Sequence, residues 1–264
     1  MKRSAYFCVA CLAFFFPGPA VAEPDIATIL QRSVAANARN YESLPHFNYI
    51  KVEKYQDNTT RTYEELMLFG SRYSRMIAVN GERLSPERQA EELRRLEQVT
   101  RQRAGESPSD RAKRTSVYER ERQRDQLLLN EMTKAFDFTM AEEQVLNGHE
   151  VYVLKARPRR GYRAPNSRAR VLTGMEGTLW IEKKSLQWVR VEAEVIHPVS
   201  IDGFLARVLP GTRFQLDQAP VAEDLWLPTH FSMKARAKIL FLFRKSDDQD
   251  ETYYGYYPAR TSAE

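Results

Sequence analysis

The chain has 264 residues and carries 40 basic against 35 acidic side chains, a formal net charge of +5. So small a surplus gives no strong field for nucleic acid, and the length suits one domain with a full core or a domain with a sizeable insertion. Its two cysteines, Cys8 and Cys11, both lie near the N-terminus.

Residues 1–22 combine Lys2 and Arg3, an apolar run from Ala5 to Phe16, and Ala20-Val21-Ala22 ahead of Glu23. This is the layout of a secretory signal peptide cleaved after Ala22, with a hydrophobic run too short to span a bilayer. Its removal takes both cysteines and leaves 38 basic against 35 acidic side chains. A disulfide framework, a thiol nucleophile and a cysteine-ligated metal are then not expected. Val9-Ala10-Cys11 offers an alternative, a lipobox with Cys11 lipidated, although the apolar stretch before it is very short.

Asp25 can cap a helix whose Ile26, Ile29, Leu30 and Val34 recur at three- and four-residue spacing. Such a helix is marginal alone and needs a sheet to lie on. From His46 the pattern becomes aromatic and β-branched, with turns at Asp57-Asn58-Thr59-Thr60 and at Gly70-Ser71, which predicts a three-stranded antiparallel meander ending at Asn80-Gly81. Residues 85–131 then hold 11 Arg or Lys and 10 Asp or Glu. Ser85-Pro86-Glu87 and Ser107-Pro108-Ser109-Asp110 both read as helix starts, so residues 85–135 are expected to form a helical-hairpin insertion. Its acids nearly cancel its bases, which favours a solvated lid or a partner-binding arm over a nucleic-acid arm.

Phe136, Phe138 and Met140 open another alternating run, and Asn147-Gly148 supplies the positive φ angles of a type I′ hairpin before Val151 to Leu154. Residues 155–171 contain seven basic side chains, no acid, two prolines and a glycine. They are expected to form a loop, with Arg157, Arg159, Arg160 and Arg163 as candidates for contact with an anionic membrane surface. Residues 174–195, GMEGTLWIEKKSLQWVRVEAEV, alternate with a period of two around a turn at Lys183-Lys184-Ser185. Leu179 and Ile181, and then Val189, Val191, Ala193 and Val195, are assigned to the dry face, with Arg190, Glu192 and Glu194 opposite. Two short strands follow, around Phe204 to Val208 and around Phe214 and Leu216. A long strand from Thr229 to Phe243 places Met233, Ala235, Ala237, Ile239, Phe241 and Phe243 opposite Lys234, Arg236 and Lys238. A last strand runs from Thr252 to Tyr257.

The fold class is therefore mainly β with helices (α+β): a curled antiparallel sheet of about eleven strands, a half-barrel, with an N-terminal helix and the helical insertion in one domain over residues 23–264. The dry positions Leu179, Ile181, Val189, Val191, Val195, Met233, Ala235, Ile239 and Phe241 are expected to line an apolar space, either filled by the front helix or open to a ligand.

The order of leader, short helix, meander and helical excursion, then Gly177-Thr178-Leu179-Trp180-Ile181, Trp188-Val189-Arg190-Val191-Glu192 and Leu225-Trp226-Leu227-Pro228, resembles secreted proteins of the outer-membrane lipoprotein-sorting (LolA/LolB-like) superfamily. The resemblance implies an open half-barrel closed by helices, periplasmic location, and an apolar cavity that holds the acyl chains of lipids or lipoproteins. The alternative from the charged insertion is an envelope protein-protein interaction or regulatory module. His46, His149, His197 and His230 are isolated in sequence, and no HExxH, GxSxG, GxxxxGK[ST] or GxGxxG motif occurs. No enzymatic activity, metal or cofactor is expected.

Overall fold

A computed structural model of the chain describes residues 25–202, 206–239 and 243–259. The leader with its cleavage site and Cys11, and the apolar position Phe241, lie outside them. Helix α1, Ile26–Ser43, begins where the Asp25 carboxylate accepts a hydrogen bond from the Thr28 amide at 2.7 Å. The meander follows as β1 (Phe47–Lys54), β2 (Thr60–Leu68) and β3 (Ser71–Val79), with β4 (Glu82–Arg83) a short addition. Helices α2 (Pro86–Ala104) and α3 (Pro108–Ala135) start at Ser85 and Ser107, whose hydroxyls accept from the amides of Arg88 and Asp110.

The remaining strands are β5 (Phe136–Met140), β6 (Gln144–Leu146), β7 (His149–Pro158), β8 (Met175–Glu182), β9 (Trp188–Val195), β10 (Val199–Asp202), β11 (Ala206–Val208), β12 (Arg213–Ala222), β13 (Leu225–Ile239) and β14 (Phe243–Pro258). Asn147 and Gly148, both at positive φ, make the expected tight turn between β6 and β7. All fourteen strands belong to one sheet, and every pairing in it is antiparallel. Its continuous path runs β4-β3-β2-β1-β14-β13-β12-β9-β8-β7-β5, and the two ends do not pair with each other. The sheet is thus an open, unclosed half-barrel with α1 laid on its inner face.

Strand β14 begins at Phe243, well before Thr252. Register places Lys234 of β13 directly opposite Asp248, an opposite-charge pair across the ladder, whereas Arg236 faces Ser246 and Lys238 faces Arg244. Strand β13 begins at Leu225, ahead of Pro228, which falls beside a register shift between Asp217 and Gln218. A bulge is the position within a sheet that tolerates proline.

Val189 is not on the dry face with Val191 and Val195. The register of β8 and β9 shifts between Trp180 and Ile181, so that Ile181 faces Trp188 and Trp180 faces Arg190. Val189 is the extra residue of this bulge, and it packs on the opposite side of the sheet with Val151, Val153 and Trp226. Alternation on one strand is not enough to foresee the inserted residue.

The main core lies where α1 sits on the inner face. Ile29 and Leu30 of the helix pack with Tyr152, Leu154, Leu179, Ile181, Trp188 and Val191 of β7, β8 and β9. A second cluster joins Ala135, Phe136, Ala156, Leu172, Met175 and Val195 beneath the end of α3. The charged insertion is tied to the body by arginines. Arg103 donates to the carbonyls of Leu68, Ser71 and Arg72 at 3.0, 2.9 and 3.3 Å, clamping the β2–β3 turn. Arg114 donates to the Phe69 carbonyl at 3.1 Å and the Ser71 hydroxyl at 2.6 Å. Arg122 donates to the Tyr41 carbonyl of α1 at 2.7 Å, and the Tyr41 hydroxyl returns a bond to the Arg122 carbonyl at 2.9 Å.

Candidate functional site

The inner face has two unlike halves. Over β7, β8, β9 and β12 it is apolar and covered by α1, and Leu154, Leu179 and Ile181 are 0%, 2% and 0% exposed. Of the sequence-derived lining residues, Leu179, Ile181 and Val191 meet α1, Val195 lies in the cluster under α3, and Val189 is on the other face. Met233 and Ala235 are half-buried on β13, and the Ile239 backbone pairs with Ala206 and Phe243. These residues are not brought together around one space, because α1 fills the site where the strands would otherwise be bare.

The other half, over β1, β2, β3 and β14, is polar and aromatic. Cross-strand register places Tyr49 opposite Glu65, Lys51 opposite Tyr63 and Tyr253, Glu65 opposite Ser74, and Met67 opposite Arg72. Glu65 is 1% exposed; its carboxylate accepts from the Ser74 hydroxyl at 2.9 Å and lies 3.1 Å from the Lys51 ammonium, which also meets Glu53 at 2.7 Å. The Tyr49 ring packs against Tyr253 and Tyr256 at centroid distances of 5.8 and 5.1 Å. The Arg72 guanidinium lies 4.6 Å from the centre of the Tyr49 ring and donates through Nη1 to the Tyr49 hydroxyl.

This concentration of buried polar groups shifts their titration. Burial pushes the Tyr49 phenol up to about 12, against the opposing pull of Arg72. Burial with Glu251 nearby raises Tyr253, and burial with Tyr49 nearby raises Tyr256. Burial disfavours the Lys51 ammonium, yet its bonds to Glu53 and Glu65 hold its pKa above the ordinary lysine range. Perturbed groups of this kind accompany functional sites and structural ion-pair networks alike.

The cavity lies where α3 crosses this half. A groove of about 990 Å³ runs between the first half of α3 and the ends of β1, β2 and β3, walled by Pro45, Met67, Phe69, Ala112, Thr115 and Tyr118. Arg111, Arg122, Glu106, Glu119 and His46 stand along it. Arg111 lies 5.8 Å from the Phe69 ring centre, and Arg122 lies 5.1 and 5.9 Å from the rings of Tyr41 and Tyr118. The Tyr118 hydroxyl contacts the Met67 sulfur at 3.7 Å. Leu128, Met132 and Phe136 recur at four-residue spacing and form the packed end of α3, whereas Tyr118 to Gln126 reads as polar on all sides in the sequence. The sequence signal for the groove was Tyr118, Met67 and Phe69 among charges, a pattern without a fixed period.

A second depression, of about 710 Å³, lies on the outer face among Lys155, Arg157, Glu176, Glu192, Arg213 and Lys234. Arg157, Arg159, Arg160 and Arg163 are exposed as expected of surface cations, with Arg159 bonded to Asp137 at 2.8 Å and to the Phe136 carbonyl at 2.8 Å. Folding brings His230 between two acids that its sequence neighbours did not suggest, Asp217 at 3.5 Å from Nδ1 and Asp250 at 3.1 Å from Nε2. Both ring nitrogens then face carboxylates. The His149 ring lies 4.8 Å from Trp226 at a tilt of 58°. Among the described residues, no group of three His, Cys, Asp or Glu side chains could hold a metal ion, and no helix is long and apolar enough to cross a membrane.

No protein-family model matches the chain, and no curated protein matches it in sequence. Solved structures do match. One is an outer-membrane lipoprotein-sorting protein domain from Vibrio parahaemolyticus, 8% identical, covering 89% of this chain and 95% of that one at a TM-score of 0.32. A LolA superfamily protein from Nitrosomonas europaea is 10% identical over 89% of this chain and 93% of its own, at a TM-score of 0.30. A DUF1329 family protein from Desulfovibrio piger is 9% identical over 87% and 92%, at 0.27.

Proposed function

We propose that this protein is a non-enzymatic, periplasmic binder of lipid or lipoprotein acyl chains, a carrier or sensor, and that the chain lies in the groove beneath α3. The observation that carries this reading is the groove itself. At about 990 Å³ it is at the upper end of the roughly 300–1,000 Å³ usual for ligand sites, and Met67, Phe69 and Tyr118 give it an apolar wall between charged rims. Met67 suits such a wall, because an unbranched thioether adapts to a flexible ligand. In this reading Leu179, Ile181, Val191 and Val195 are the floor that seats the helices, and Arg157, Arg160 and Arg163 approach the anionic membrane surface from which cargo is taken.

Native mass spectrometry of protein purified from the periplasm is expected to show an added mass that organic extraction removes as acyl-bearing lipid. Ala112→Trp should fill the groove and abolish that mass while the thermal transition is kept. Loss of neither would count decisively against the reading.

A second reading is favoured by α2, none of whose 19 residues is buried and whose Leu93 is 47% exposed. This helix would then dock an envelope partner. Leu93→Asp should break a pull-down from envelope extract without changing lipid content; a lipid-free protein that still captures its partner through α2 would favour the interaction module.

A further inference from the structure

We infer that the groove selects amphiphiles with an anionic headgroup, a carboxylate or a phosphate monoester, and that Arg72 receives it. This rests on the proposed acyl-chain reading and adds the headgroup to it. Arg72 is the direct cross-strand partner of Met67, which forms part of the groove wall. Its Nη1 donates to Tyr49, but Nε and Nη2 are buried and have no hydrogen-bond acceptor among the described residues. Those two nitrogens form one edge of the guanidinium, the fork that matches the two oxygens of a carboxylate or phosphate.

The same edge is filled elsewhere in this protein. Arg75, three residues along β3, places Nε at 3.0 Å and Nη2 at 2.5 Å from Glu64. Arg114 grips Glu106 with Nε at 2.7 Å and Nη2 at 2.5 Å, and Arg213 grips Glu194 at 2.9 and 3.2 Å. The nearby half-buried cation Lys51 is also matched, by Glu53 and Glu65. Arg72 alone among these forms no ion pair within the described residues. An enclosed guanidinium with two unpaired donors is costly, and an anion brought in by a ligand removes that cost.

The route to it is short. Met67 is at once the cross-strand neighbour of Arg72 and a wall residue of the groove, and its sulfur lies 3.7 Å from the Tyr118 hydroxyl. Rotation of this flexible side chain exposes the fork to a headgroup whose tail lies along Phe69 and Tyr118. Arg122, whose Nε is likewise buried and without an acceptor while its Nη1 pairs with Glu119 at 3.0 Å, stands on the Tyr118 side.

Displacement of the neutral fluorophore N-phenyl-1-naphthylamine from purified protein at pH 8 tests this with palmitate, palmitoyl lysophosphatidate and neutral monopalmitin. At least one anionic amphiphile should displace the probe at a concentration lower by roughly tenfold or more than monopalmitin, as expected for a charge-assisted pair. Arg72→Met should erase that preference with monopalmitin unchanged, and Arg72→Lys should keep part of it, supplying charge without the fork. The anion that loses more on Arg72→Met identifies the headgroup as carboxylate or phosphate. Equal displacement by all three, or a preference that survives Arg72→Met, overturns the headgroup inference and leaves acyl binding intact. No binding of any amphiphile overturns the proposed function, and the inference with it. If Arg72→Met does not fold, Arg72→Lys decides, since it must lower the preference without moving monopalmitin.

Discussion

The two halves of the inner face are built from the same meander geometry and do opposite things. Over β7, β8 and β9 the inward positions are Leu154, Leu179, Ile181 and Val191, and α1 closes on them through Ile29 and Leu30. Over β1, β2, β3 and β14 the inward positions include Tyr49, Lys51, Glu65, Arg72 and Tyr253, and α3 crosses above them without packing flat. The dry half contributes stability through area removed from water. The polar half cannot be sealed that way, because each buried polar group needs a partner, so it leaves room beside the helix. The difference teaches that the polarity of the inward residues decides which half a helix can seal.

The comparison breaks most visibly if the dry half accepts charge. Val191→Asp places a carboxylate without a partner against α1 and should cost about 4 kcal/mol or prevent folding. Glu192→Ala, its outward neighbour, should stay within about 0.5 kcal/mol. Urea midpoints measured side by side check both, and equal midpoints would refute the assignment of faces.

The polar half should fail in alkali. A phenol whose pKa is raised on folding contributes stability that is complete below its unfolded value of 10.0 and is lost as pH climbs toward its folded value. Tyr49 alone, raised to about 12, forgoes about 3 kcal/mol over that window, and Tyr253 and Tyr256 shift in the same direction. Absorbance at 295 nm should show these phenols ionising late and together with unfolding. Gradual ionisation without a transition would mean that they are open to water.

Next in size is the roof over that half. Arg103→Met removes the donor to three part-buried carbonyls, and Arg114→Met that to the Phe69 carbonyl, the Ser71 hydroxyl and Glu106; each should cost about 1.5 kcal/mol. Hydrogen exchange should then quicken in α2 and in the β2–β3 turn while β7, β8 and β9 keep their protection.

How much of this contrast could be read from the sequence follows from periodicity. The dry half was legible because Leu179, Ile181, Val191 and Val195 alternate with polar residues, and the capping serines and Asn147-Gly148 act locally. Val189 was misassigned because a bulge is a property of two strands in register and not of one. The polar half was legible as strands but not as a site. Tyr49, Lys51 and Glu65 read as ordinary half-exposed strand residues until pairing across β14, β1, β2 and β3 puts them on one face. The role of Arg103, Arg114 and Arg122 as ties was hidden for the same reason, since a run of balanced charges looks solvated whether or not it grips carbonyls.

The smallest effect expected is on the acid side, and its size separates two ways in which the polar half could be held together. Burial disfavours the Glu53 carboxylate, but its bonds to Lys51 and Tyr55 hold its pKa below the ordinary 4.5. Its contribution is therefore present above pH 4.5 and is lost as pH falls through the lower folded value. Because the Glu53 side chain keeps 25% of its surface in water, solvent screening limits this loss to less than about 1 kcal/mol. If ion pairs were the main support of this half, the stability profile between pH 5 and 3 would fall as steeply as between pH 10 and 12. A shallow acid limb beside a steep alkaline one, in the same denaturant series, would assign the support to the tyrosines and not to the ion pairs.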